Sequence, residues 1–99
     1  MKSYLLSGNR DTYIGMKLAG VDGVYLQEGD DIEQAFKEAL SGGYGIILMT
    51  EKIYHSIKEE VIHTKTTTKI PLITVIPDRH GYNNDKERIM SYIKESIGL

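Results

Sequence analysis

The spacing of apolar residues changes period repeatedly along this chain, and that alternation constrains the fold more than any single motif. Short continuous apolar runs stand at "SYLLS" (residues 3–7), "GVYLQ" (23–27), "GIILM" (45–49) and "PLITVIP" (71–77). Each has the length of a strand and is set off by turn residues or prolines. Between them, apolar residues recur at three- and four-residue steps, the period of a helix. The clearest case is Ile32, Ala35, Phe36, Ala39 and Leu40, capped by Asp30 or Asp31 and ended by "SGGYG" (41–45). Asp11 is the expected cap of a helix that Gly20 stops, and Thr50 the cap of one lined by Ile53, Ile57 and Val61. "HTKTTTKIP" (63–71) is polar, β-branched and basic, and reads as a loop. "DRHGYNN" (78–84) reads as another. Asn84 or Asp85 then caps a closing helix over about 84–97, with Ile89, Met90, Ile93 and Ile97 on one side.

Strands joined through helices run parallel, and right-handed crossovers distribute the helices over both faces of the sheet. "GIILM", apolar throughout, suits a strand covered on both sides. The expected fold is α/β: a compact three-layer sandwich on a four-stranded parallel sheet, flavodoxin-like or Rossmann-like, with receiver-like topology. A chain of 99 residues makes one domain, 1–99.

Composition excludes several functions. A net charge of −2 and a pI near 5.9 offer no basic surface for nucleic acid. With no cysteine there is no disulfide, no thiolate metal site and no cysteine nucleophile. No apolar run approaches the roughly 20 residues of a membrane span, and that of "MKSYLLSGNRD" is too short for a signal peptide. The expected place is the cytoplasm, with any membrane reached through a partner.

Motifs of chemistry also fail on spacing. "SGNRDTYIGMKLAGV" (7–21) follows a strand and holds three glycines, but six residues separate Gly8 from Gly15 and Met16 precedes Lys17. A Walker A loop needs four residues between its glycines, then Lys and Ser or Thr. A receiver-like phosphoacceptor or anion-binding domain is the alternative reading. It needs a carboxylate pair after the first strand and an Asp after the third. The chain offers Asn9, Arg10 and Asp11, then Met49, Thr50 and Glu51. His55 and His63 lack a third ligand at metal-binding spacing. Ser7, Asp78 and His80 make a conceivable hydrolytic set that nothing in their spacing requires, and G-x-S-x-G is missing. The residues therefore give no catalytic group, no cofactor site and no metal site; the default is an interaction module.

Four segments in register carry a family resemblance. "GNRDTYIGMKLAGVDGVY" (8–25), "YGIILMTEKIYHSI" (44–57), "PLITVIPDRHG" (71–81) and "DKERIMSYIKESIGL" (85–99) resemble the F subunit of archaeal and bacterial V-type (A-type) ATPases. Asn9 stands where that family usually has Asp, and Met16 where it has an aromatic residue. The resemblance implies a non-catalytic rotor subunit on the central stalk, bound to the coiled-coil D subunit. It would turn inside the ring of catalytic A and B head subunits, with stalk subunits of the membrane sector below. Coupling of ATP synthesis or hydrolysis to proton or sodium transport is the implied role. Gly15 and Gly20 then serve close helix packing and helix termination. The expected partner face is the closing helix, through Arg88, Ile89, Tyr92, Ile93 and Ile97, unless that stripe packs on the sheet. The loop rim with Arg10, Asp78 and Arg79 is a second candidate face.

Overall fold

The computed structural model describes residues 2–77. The chain runs β1 (Ser3–Ser7), α1 (Arg10–Leu18), β2 (Asp22–Tyr25), α2 (Ile32–Leu40) and β3 (Ile46–Thr50). It continues through α3 (Glu51–Ser56), α4 (Lys58–Thr67) and β4 (Leu72–Ile76). The expected closing helix over 84–97, with Arg88, Ile89, Tyr92, Ile93 and Ile97, lies outside the described residues, as do Asp78, Arg79 and His80.

All strand pairs are parallel, and the sheet order is β2-β1-β3-β4. The expected α/β fold on a four-stranded parallel sheet is the one observed, and its strand order is that of a flavodoxin-like sheet. The order reverses between β1 and β3. Right-handed crossovers therefore place α1 on one face and α2 with α3 and α4 on the other. Strand alternation feeds the second face. Leu6, Ile47, Met49, Ile73 and Val75 meet Phe36, Ala39, Ile53, Ile57 and Val61 in one buried cluster. On the opposite face Leu5 lies in register with Gly23 and Leu48. Gly23 has a steric reason: a Cβ there would stand 2.5 Å from the Leu5 carbonyl oxygen and 2.7 Å from its Cβ.

Four local expectations are corrected. Asn9, not Asp11, caps α1, its Oδ1 accepting from the Thr12 amide at 2.9 Å. Thr50 precedes α3 without a side-chain cap bond; its hydroxyl oxygen accepts instead from the Gly8 amide at 3.0 Å, across to the β1–α1 turn. The threonine-rich segment is helical through Thr67. Its hydroxyls turn back on the helix: Thr64 donates to the Glu60 carbonyl, Thr66 and Thr67 to that of His63, and Thr68 to that of Thr64, all at 2.8–2.9 Å. Those bonds satisfy both the hydroxyls and the last turn's carbonyls, which β-propensity alone does not anticipate. The helix that Ile53, Ile57 and Val61 share is broken at Ile57 (φ −129°, ψ 32°), yet all three remain buried.

Among the described residues Gly15 does not serve close packing: none lies within 4 Å of the position its Cβ would take. Gly20, by contrast, ends α1 as expected. With φ at +92° it lets its own amide reach the Lys17 carbonyl and the Val21 amide reach that of Met16.

Candidate functional site

The carboxyl ends of parallel strands are where an α/β fold places ligands. Here the β1–α1 turn faces its own chain. Gly8 donates to Thr50, Asn9 to the Ser7 hydroxyl oxygen at 3.0 Å, and Thr12 to Asn9. Three amides that a phosphate loop would aim outward are engaged within the fold. Ser7 is fully buried, and its hydroxyl donates to the Asn9 carbonyl at 2.7 Å, so it is placed as a turn anchor rather than an exposed nucleophile. Beside the turn opens a cleft of about 550 Å³, lined by Gly8, Tyr25, Gln27, Glu28, Lys52 and Ser56. Its two charged lining residues, Glu28 and Lys52, are of opposite sign. His55 lies on α3 with its ring 5.7 Å from that of Tyr54, and His63 lies on α4. No group of three or more metal-ligating side chains is assembled among the described residues.

The surface that stands out is helix α1. None of its nine residues is buried. Leu18 is 86% exposed and Ile14 41%, one turn apart, and Arg10 stands one turn before Ile14. These three form an i, i+4, i+8 stripe pointing to solvent. Tyr13 and Met16 occupy the inner side, half-buried. The Tyr13 ring stacks on Tyr25 at 6.3 Å, and the Lys17 ammonium lies 5.5 Å above the Tyr13 ring. Arg10, expected from sequence at a partner-facing rim, is thus exposed and brought into line with two aliphatic residues. Ile14 and Leu18 were not anticipated. Their signal was present: apolar residues on two sides of α1, one side more than a helix lying against a single sheet can bury.

A second feature lies on the other face. Helices α2 and α4 flank a groove of about 360 Å³ whose walls include Phe36, Leu40 and Thr64. Glu33, Glu59 and Glu60 rim it, with Lys37 and His63 between them. A hydrogen bond with the Glu60 carboxyl raises the Glu33 pKa from its ordinary value; Lys37 opposes the shift.

Comparison with known proteins gives one consistent family. The family described as the ATP synthase (F/14-kDa) subunit matches residues 6–93. The chain is 32% identical to the F subunit of the A-type ATP synthase of Methanothermobacter thermautotrophicus, over 93% of this chain and 89% of the relative. It is 33% identical to the F subunit of the A-type ATP synthase of Methanocaldococcus jannaschii, over 93% and 91%. To the F subunit of the V-type ATP synthase of Clostridium perfringens it is 27% identical, over 93% and 88%. No solved structure matches the chain. No helix among the described residues is long and apolar enough to cross a membrane.

Proposed function

Because the chain belongs to the family of the ATP synthase (F/14-kDa) subunit, we propose that it is a non-catalytic rotor component of the central stalk of a V/A-type rotary ATPase. In this reading it binds the coiled-coil D subunit, turns within the A and B head, and meets the membrane-sector stalk subunits below. It helps couple ATP synthesis or hydrolysis to proton or sodium transport. Its place is the cytoplasm, peripheral to the membrane through the complex.

The observation that carries this reading is the exposed stripe of α1. A subunit that transmits torque needs an apolar centre with a polar rim against its shaft. Leu18 and Ile14 supply the first and Arg10 with Lys17 the second. The receiver-like alternative draws nothing from the β1–α1 turn, whose Gly8, Asn9 and Thr12 amides bond within the chain. Arg88, Ile89, Tyr92, Ile93 and Ile97, with Asp78 and Arg79, are proposed as further parts of the partner face.

The test is co-expression with the long coiled-coil stalk subunit of the same source, followed by chromatography and mass in solution. A one-to-one complex is expected, weakened about tenfold or more by Leu18→Asp and, separately, by Arg88→Ala with Tyr92→Ala. A monomer eluting beside a folded, unbound coil would sink the assignment.

A further inference from the structure

We propose that the groove between α2 and α4 is a second docking surface, for a short helical segment of a protein partner that carries aliphatic residues on one face and Lys or Arg at its flanks. This goes beyond the stalk-binding role, because the groove lies on the opposite face of the sheet from α1.

Shape and charge set the occupant. The two helices connect strands of one parallel sheet in the same sense, so they run side by side in the same direction. Residues Glu33, Phe36, Lys37 and Leu40 follow helical spacing along α2, and Glu59, Glu60, His63 and Thr64 do so along α4. A third helix laid between them would rest aliphatic side chains on Leu40 and the Thr64 methyl, which lie half-buried beside the buried Phe36 ring. About 360 Å³ gives room for two or three such side chains. The rim selects the sign of the flanks. Three glutamates face one lysine and one histidine there, and two of the glutamates bring carboxyl against carboxyl. Lys37 lies four residues from Glu33 on α2 and only partly offsets that opposition. A guanidinium or ammonium supplied from outside would stand between the two carboxyls and hydrogen-bond to both. An acidic partner would add to the repulsion, and a purely aliphatic one would leave it unrelieved.

The experiment uses the full chain labelled with ¹⁵N and needs no stalk subunit, so its result is independent of whether α1 holds the coil. The probes are an amphipathic helical peptide of Leu and Lys, the same peptide with Glu for Lys, and spermidine. The Leu–Lys peptide should shift the amide signals of residues 33–40 and 59–64, and its affinity should fall with added salt. Glu33→Gln with Glu60→Gln, near-isosteric changes at one exposed and one half-buried position of the rim, should leave the circular dichroism unchanged and weaken that peptide about tenfold. The Leu–Glu peptide should give no shifts. Equal binding by the double variant, or shifts centred away from the groove, would overturn the proposal. So would spermidine binding as tightly as the peptide, since that assigns the groove to a free polyamine.

Discussion

Helices α1 and α2 are each nine residues long, each capped by an Asx side chain, and each expected as a helix from sequence. They do opposite work. Helix α2 buries Phe36 and Ala39 in the core, whereas α1 has no buried residue and only half-buries Thr12, Tyr13 and Met16. Polar and backbone bonds at its ends hold α1 in place instead: the Asn9 cap, the Gly8–Thr50 bond, and the Gly20 and Val21 amides on Lys17 and Met16. A helix tied by its ends leaves its length free for a partner. A helix tied by its apolar face leaves a partner only the rim of that face. Mutation can break this contrast most sharply at Phe36 and Leu18. Phe36→Ala should cost about 3–5 kcal/mol, a large part of a stability of about 5–15 kcal/mol for a domain this size. Leu18→Ala should stay within about 0.5 kcal/mol and act on coil binding alone. Urea melts of the two variants decide it; similar losses would mean that α1 is as much a part of the core as α2.

The tether of α1 is tested at Thr50. Thr50→Val keeps the shape but leaves the Gly8 amide without the hydroxyl oxygen it donates to at 3.0 Å. Thr50 is fully buried, so no solvent replaces the bond cheaply. The expected loss is about 1–3 kcal/mol, with Thr50→Ser restoring most of it. Amide exchange should speed up in α1 more than in α2. A loss spread evenly over both helices would show that the bond supports the sheet rather than the turn.

What the sequence disclosed follows the same division. Burial-driven features were legible: β1 over 3–7, the parallel sheet, and the α2 stripe of Phe36 and Ala39 all follow from apolar period. Features made by polar bonds across the fold were not. Thr50 looked like a helix cap because Thr before Glu51 is a common start; its real partner lies 42 residues away. The threonines at 64 and 66–68 looked like a loop because β-branching disfavours helix, while their hydroxyls complete one. At the candidate face, Arg10 was expected on a loop rim and is instead the first residue of α1. Ile14 and Leu18 were not picked out: apolar residues on two sides of α1 show that one side stays uncovered by the sheet, without saying which.

A smaller effect separates the two glycines of α1. Gly15 lies mid-helix with no described residue within 4 Å of its Cβ position, so Gly15→Ala should stabilise the chain by about 0.5–1 kcal/mol. Gly20, at a φ of +92°, should respond in the opposite sense to the same change. Thermal melts give both signs directly. A destabilising Gly15→Ala would mean that α1 packs more closely than its exposure indicates.

The smallest expected effect belongs to the α2 side, where charge rather than burial distinguishes the surface. The Glu60 carboxyl raises the Glu33 pKa in the folded chain above its ordinary 4.5. Between those two values the native state binds more protons than the unfolded state, so stability declines as pH rises through that window. The sign follows from the pair itself: one proton between the two carboxyls makes a hydrogen bond, and its loss leaves two negative charges. Glu33→Gln mimics the protonated form at every pH. The variant should therefore match the parent in acid and gain on it as pH rises above 4.5 and the parent's Glu33 ionises. Urea midpoints at a series of pH values from about 4 to 7 measure the difference. If the advantage of Gln stayed constant or grew on acidification, the carboxyl pair would not be the cause, and the acidic rim of the groove would be no more than a solvated face.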